Sequence, residues 1–252
     1  MQGKVVLITG AASGLGRLAS HRLADAGARV VACDVNADGL RGTAADRPGI
    51  TTRVLDVTEK GAVQALVHDV ERTIGPIERV YNAAAIMPTA SLLSQDLDTL
   101  QRVMNINYGG VATVTKCVLP YMQERGRGEL VQFASMAGWV PLLDFGAYNA
   151  SKFAVVAFSE VLAHELRGSG IRVACVCPPP VDTPLLDQAT SKPKILSIMP
   201  PIRPDQVLDA VERALARGRL WVFPGFGSTF MWRARRIIPG IVWRFLHLVE
   251  RR

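Results

Sequence analysis

The chain is poor in the residues that build disulfide scaffolds and metal centres, with four cysteines and four histidines among 252 residues. Cys33, Cys117, Cys175 and Cys177 all lie in apolar strand-like or helical sequence. Cys175 and Cys177 would share one face of a strand, but no second ligand pair accompanies them, so they read as small buried side chains rather than zinc ligands. His21, His68, His164 and His247 fall into no metal-binding spacing, and no metal is expected. No secretory signal precedes the first apolar strand, so a reducing cytoplasm is the expected compartment. No apolar run approaches the roughly 20 residues of a spanning helix. The best candidate, Ile237 to Trp243, is broken by Pro239 and Gly240. Internal repeats, low-complexity tracts and long linkers are also missing, which excludes solenoids and a chain cut into several domains.

What remains is a chain with 49% hydrophobic residues, long enough for one α/β domain with a covered core. Apolar strand-like runs near residues 4–9, 29–33, 51–55, 77–82, 129–134, 171–177 and 219–223 alternate with helical stretches. That alternation predicts a Rossmann-type, doubly wound parallel sheet of about seven strands, with its site at the strands' carboxyl ends. The first run, Lys4 to Thr9, leads directly into Gly10-Ala-Ala-Ser13-Gly14-Leu15-Gly16. Behind it Leu15, Leu18, Ala19, Leu23 and Ala26 recur at helical spacing until Gly27. Glycines at such a turn let backbone approach a diphosphate, and free N–H groups at the helix start attract its charge. After the second strand stands Asp34, 18 residues beyond Gly16 and near the spacing of about 20 expected for a ribose-binding acid. A carboxylate there accepts from a 2′-hydroxyl and repels a 2′-phosphate, favouring NAD(H) over NADP(H).

Tyr148 and Lys152 are separated by one helical turn in Tyr-Asn-Ala-Ser-Lys, with Ser135 thirteen residues upstream of the tyrosine. A free phenol has a pKa of about 10, so proton exchange near neutrality calls for a neighbouring cation to stabilise its anion. Lys152 is placed to supply one. A shift of roughly three units corresponds to about 4 kcal/mol, within reach of an ammonium in a water-poor site. Ser135, on another segment, would hold a substrate oxygen beside the phenol.

Taken together, Thr9-Gly10-x-x-x-Gly14-x-Gly16, Asn107, Ser135, Tyr148 and Lys152 resemble the short-chain dehydrogenase/reductase family over residues 4 to about 184. The resemblance implies that Tyr148 is the general acid/base, that Lys152 binds the nicotinamide ribose and tunes the phenol, and that Ser135 polarises the substrate oxygen. It further implies that Asn107 holds a water extending the proton relay and that Asp56-Val57 meets the adenine. Asn82, Ala84, Val181 and Thr183 complete the cofactor positions carried over with Gly10, Ser13, Gly14, Leu15, Gly16 and Asp34. Two segments depart from the family pattern. Asn82-Ala83-Ala84-Ala85 stands where the family has Asn-Asn-Ala-Gly, and Ala85 fits a glycine position only where φ is negative or space allows. Pro178-Pro179-Pro180 replaces Pro-Gly, predicting a stiffer backbone with fewer donors beside the nicotinamide.

Apolar residues flank the catalytic positions, namely Met87, Trp139, Val140, Leu142, Leu143 and Phe145, and a proline-rich lid carries Leu185, Leu186, Ile195, Leu196, Ile198 and Met199. They suit a lipophilic substrate of steroid, retinoid or long-chain type, or simply core packing. Residues 217–252 form a distinct extension of the 1–216 catalytic segment. The extension holds Arg217, Arg219, Arg233, Arg235, Arg236, Arg244, Arg251 and Arg252 against Glu250, while residues 1–216 balance 21 basic side chains with 21 acidic ones, so the net +7 resides in the tail. Trp221, Trp232, Trp243, Phe223, Phe226, Phe230 and Phe245 accompany those arginines. Two readings stay open: peripheral contact with a membrane surface, or a helix docked on protein through Ile241, Val242, Phe245, Leu246 and Val249. Nucleic acid is not expected. The resemblance implies dimers or tetramers, and a tail that replaces the usual C-terminal contacts favours the homodimer. A catalytically silent nucleotide-binding scaffold or redox sensor is the competing functional reading.

Overall fold

In the computed structural model β1 (Val5–Thr9) is buried along its whole length, with Val6 and Ile8 facing one helical layer and Leu7 the other. Such two-sided burial is what a continuous apolar run provides in a parallel sheet. The structure describes residues 1–189, 194, 199–225 and 227–250. Ile195, Leu196 and Ile198 of the expected lid, and Phe226, Arg251 and Arg252 of the tail, lie outside the described residues.

The other strands are β2 (Arg29–Asp34), β3 (Ile50–Val54), β4 (Ile77–Asn82), β5 (Gly128–Phe133), β6 (Ile171–Val176) and β7 (Trp221–Val222). They pair in parallel in the order β3-β2-β1-β4-β5-β6-β7. The doubly wound sheet expected from the alternation is therefore present. The seventh strand is shorter than its apolar run, because only Trp221 and Val222 pair with β6 before the turn at Pro224-Gly225.

Helices α1 (Gly14–Asp25), α2 (Ala37–Ala44), α3 (Lys60–Asp69), α4 (Leu97–Met104), α5 (Gly110–Arg125), α6 (Gly146–Glu165), the short α7 (Pro184–Asp187) and α8 (Pro204–Ala216) follow the strands, and α9 (Ser228–Ile237) and α10 (Pro239–Glu250) close the described chain. On one face of the sheet α1, α2 and α8 bury Ala19, Leu40 and Val207. On the other α3, α5 and α6 bury Val63, Val114 and Leu162. The strand order reverses between β1 and β4, and at that switch point a cleft opens above the carboxyl ends of the strands.

The extension belongs to the same body. Val242 and Leu246 of α10 are buried in a cluster with Val155 of α6 and Cys177 beyond β6. Trp139 meets Trp221 and Trp232 edge to face, with ring centroids 5.1 and 5.8 Å away. Offset and edge-on aromatic contacts of this kind add about 0.5–1.5 kcal/mol each to the burial itself.

Candidate active site

The turn after β1 is shaped by close backbone approaches that only glycine permits. Gly10 adopts φ +67°, and a Cβ there would lie 2.7 Å from the Ala83 carbonyl and the Ala84 nitrogen. At Gly16 a Cβ would come within 2.1 Å of the Gly10 carbonyl oxygen. The loop thus folds onto the end of β4 and lets α1 start against it. Ser13 is extended at the helix start and its side chain makes no cap, so it does not compete for the first-turn N–H groups. Thr183 reaches the same loop, its Cβ 3.3 Å from where a Gly14 Cβ would be. This glycine cradle and uncapped helix start fit a dinucleotide's diphosphate.

Asp34 ends β2 with its carboxylate already bracing the loop. One oxygen accepts from the Ala12 N–H at 3.0 Å and the other from the Asn36 N–H at 3.0 Å. Each oxygen keeps a lone pair for a ribose hydroxyl. Asp56 accepts from the N–H and hydroxyl of Thr58 at 2.8 and 2.7 Å, and Val57 beside it packs where a Gly110 Cβ would fall.

Asn107 lies in a single π-turn, Asn105–Gly109, between α4 and α5. Wide turns inside helices often mark functional positions, because the extra residue re-aims a side chain. Here the Asn107 amide clamps the backbone of Ile86, its Oδ1 accepting at 2.8 Å and its Nδ2 donating at 3.0 Å. The Nδ2 also donates to Ser151 Oγ at 3.0 Å, and Ser151 donates to the Tyr148 carbonyl at 2.8 Å. Ser151 is the residue that sequence reasoning missed. Its one sequence signal is a serine three places after the tyrosine, on the same helix face, and the structure shows it fully buried.

On α6, Tyr148 and Lys152 are both buried, Lys152 being 2% exposed. Gly138 allows the short turn Met136–Gly138 to touch α6, since a Cβ there would lie 2.7 Å from the Lys152 carbonyl oxygen. That contact seats Ser135 beside the phenol, while its hydroxyl oxygen accepts from the Ala137 N–H at 3.1 Å. The ammonium lies 5.6 Å from the tyrosine ring centre and donates to the Phe133 carbonyl at 2.8 Å rather than to the phenol.

These groups meet in one cavity of about 730 Å³. Gly10, Ser13, Gly14, Leu15 and Gly16 border one end of it, together with Asp34, Asp56 and Val57. Ala84, Ser135, Tyr148, Lys152, Val181 and Thr183 border the rest. Two expected positions stand apart. Asn107 is buried behind Ile86, with both amide hydrogens used within the protein. The Asn82 side chain turns into the core, donating to Gln132 at 2.8 Å and to Thr115 at 3.2 Å. Sequence distance hides such a contact, because Gln132 comes from the neighbouring strand β5.

The two departures from the family pattern are accommodated differently. Among the described non-glycine residues positive φ occurs at Asp46 and Asp144, not at Ala85, so alanine is unstrained in its glycine position. In the proline run the carbonyls take over as anchors, Pro178 accepting from Met136 N–H at 2.9 Å and Pro180 from Ile202 N–H at 2.9 Å. The remaining walls come from the expected lid and, unforeseen in the sequence, from the tail. Gln188 accepts from the Met87 N–H at 3.0 Å across the cavity, while Met231 of α9 and Leu246 of α10 line it from the tail.

Burial pushes the Tyr148 phenol up to about 12, against the hydrogen bond from Ser135, which lowers it. The depressed phenol expected from Lys152 is thus not a property of the protein groups alone. Burial also pulls the Lys152 ammonium down to about 8, opposed by the Cys175 and Cys177 thiols. The folded pKa is below the unfolded one, so the cost of the buried charge is fully present below pH 8 and relieved as pH rises from 8 to 10.5. A shift of this size corresponds to about 3 kcal/mol. In urea unfolding without cofactor, the wild type is expected to gain about 3 kcal/mol of stability relative to Lys152→Met between pH 7 and 10.5. A pH-independent difference would show that the lysine is not buried as a charge. Tyr148, whose phenol is raised by burial, opposes stability only above pH 10.

A parallel sheet with a glycine cradle at its switch point and a buried tyrosine–lysine–serine cluster at the same cleft defines a nucleotide-dependent oxidoreductase. Residues 4–194 match the family model described as short chain dehydrogenase. The chain is 36% identical over 230 residues to 1-deoxy-11-beta-hydroxypentalenate dehydrogenase of Streptomyces avermitilis, covering 88% of this chain and 85% of that one. It is also 36% identical over 189 residues to 2-keto-3-deoxy-L-fuconate dehydrogenase of Xanthomonas campestris, covering 75% and 62%. A short chain dehydrogenase/reductase from Burkholderia phymatum, solved in complex with NAD, superposes with a TM-score of 0.85 at 26% identity over 93% of each chain. The protein belongs to the short-chain dehydrogenase/reductase family: it is an oxidoreductase that interconverts hydroxyl and carbonyl groups with a nicotinamide cofactor.

Proposed function

We propose that the protein interconverts a secondary or primary alcohol and its ketone or aldehyde on a lipophilic substrate, using NAD(H), with Tyr148 as general acid/base. The observation that carries this reading is that Tyr148, Ser135 and Lys152 meet on one wall of the cavity whose far end is the glycine cradle. The nicotinamide, when bound, supplies or accepts the hydride. Ser135 fixes the substrate oxygen beside the phenol. In reduction Tyr148 gives its proton to that oxygen, and in oxidation it takes the proton back. Lys152 holds a positive charge behind the ring and stabilises the phenolate, while its bond to Phe133 fixes the position of the charge. Asn107, through Ser151, holds the first turn of α6 in register. If Asn107 also anchors a relay water, it does so through its backbone or the second lone pair of Oδ1.

The relatives' names span a hydroxypentalenate and a deoxy sugar acid, so they do not select a substrate. The lining supports the lipophilic choice: Met87, Val140, Leu142, Phe145, Leu185 and Leu186 surround the phenol side of the cavity. The test is a screen of steroid, retinoid and acyl alcohols against short polar ones, with NAD⁺ and NADP⁺, read as absorbance of the reduced nicotinamide. Turnover confined to polar alcohols would overturn the substrate class.

Support for NAD(H) comes from Asp34 at the end of β2, whose carboxylate would face a 2′-phosphate. The expected preference for NAD⁺ over NADP⁺ is at least tenfold in kcat/KM, and Asp34→Ser is expected to erase most of it by weakening NAD⁺ binding. An unchanged ratio would exclude the carboxylate as the selector. Residues 1–216 and 217–252 are read as the catalytic segment and an extension of the same domain. The exposed Phe153 and Val161 on α6 support a homodimer across that helix.

A further inference from the structure

The tail offers an apolar surface on two sides. On α10 Val242 and Leu246 are buried against the domain, whereas Ile241, Phe245 and Leu248 are 60, 45 and 63% exposed. These three follow one another at helical spacing and form a second stripe that the domain does not cover. Phe230 and Ile237 on α9 are likewise exposed. No helix among the described residues is long and apolar enough to cross a membrane.

The charge around these positions has one sign. Arg233, Arg236 and Arg244 are exposed and make no ion pair with a described residue. The single acid of the tail, Glu250, is buried and accepts from the Lys194 N–H at 3.1 Å. A second copy docking face to face would bring arginines against arginines, whereas an anionic surface complements them. The inner side of the same helices supplies Met231 and Leu246 to the wall of the catalytic cavity.

We propose that α9 and α10 seat the enzyme on an anionic phospholipid surface, so that an apolar substrate passes from the lipid to the cavity they wall. The route for substrate rests on the lipophilic reading above; the lipid contact stands on the exposed stripe and the unpaired arginines. An interfacial helix buries its apolar face at the headgroup boundary with cationic side chains toward the headgroups. The bilayer then covers Ile241, Phe245 and Leu248, and the cavity wall formed by Met231 and Leu246 lies one helix diameter from the lipid.

The test is sedimentation of the full chain with vesicles of phosphatidylglycerol and phosphatidylcholine against vesicles of phosphatidylcholine alone, at low and high salt. Binding to the anionic vesicles is expected to be at least tenfold tighter and to weaken with salt. Two variants, Ile241→Asn/Phe245→Asn/Leu248→Asn and Arg233→Gln/Arg236→Gln/Arg244→Gln, are each expected to lose that binding at least tenfold while NADH affinity, read by fluorescence, stays within twofold. Equal binding to both vesicle types overturns the proposal. So does an asparagine variant that leaves vesicle binding intact but turns a dimer into a monomer, since a second copy would then be the occupant. Vesicle binding is read without substrate, so a failed alcohol screen bears on the substrate class alone.

Discussion

Tyr148→Phe is expected to lower kcat by about 10³-fold, within the range general acid–base catalysis contributes. The substitution removes one oxygen and leaves the ring's packing, including its edge contact with Phe145 at 6.1 Å. Among the described residues no titratable side chain besides Tyr148 and Lys152 lines the cavity beside Ser135, so nothing stands ready to take over proton transfer at that oxygen. Because burial holds the phenol at about 12, it keeps its proton at neutral pH and is a competent acid for reduction. The reverse reaction needs the phenolate, so oxidation is expected to accelerate with rising pH in the wild type and to lose that dependence in the variant. NADH affinity is expected to stay within twofold, and the lost hydroxyl bond to cost about 1 kcal/mol of stability. Steady-state rates in both directions, with fluorescence titration of NADH, measure all three. A variant retaining more than a tenth of wild-type turnover would remove Tyr148 from its role.

The second large effect is expected at Gly16→Ala. The added methyl would meet the Gly10 carbonyl oxygen at 2.1 Å and its carbon at 2.7 Å, both backbone atoms that no rotamer change can move. Either α1 retreats or the glycine turn opens, and both disrupt the cradle. Overpacking of this kind costs about 1–3 kcal/mol. The binding effect is larger, because the helix start and the turn must hold their relative position to receive a diphosphate. NADH affinity is expected to fall at least 100-fold. Gly61→Ala, in α3 with nothing within 4 Å of the new methyl, is the control. It is expected to leave binding unchanged and to add up to about 1 kcal/mol of stability, the helix-propensity difference between the two residues. Equal behaviour of the two variants would mean that the close approach at Gly16 is dispensable.

The parts of this molecule legible in the sequence were those governed by local rules. Apolar runs of strand length, the helical spacing behind Gly16 and the one-turn interval from Tyr148 to Lys152 each follow from backbone geometry. Asn82 was not legible, because its amide answers to Gln132 on a neighbouring strand and Thr115 on α5. Ser151 escaped for the same reason, its part being defined by Asn107, which lies 44 positions earlier. The tail shows the limit differently. Ile241, Val242, Phe245, Leu246 and Val249 form one wide stripe by spacing, yet the domain takes Val242 and Leu246 and leaves Ile241 and Phe245 in water. Spacing gives the faces of a helix but not which of them a neighbour covers. The silent-scaffold reading loses its footing here, since both departures that motivated it are accommodated without strain. The match to named dehydrogenases points the same way.

A crystal structure of the NADH complex tests the central claim most directly. The account predicts the diphosphate against Gly14–Gly16, the adenosine ribose on Asp34, and the nicotinamide ring reaching the wall where the Tyr148 and Ser135 hydroxyls converge. Density placing the nicotinamide away from that wall, or the dinucleotide outside the glycine turn, would contradict it.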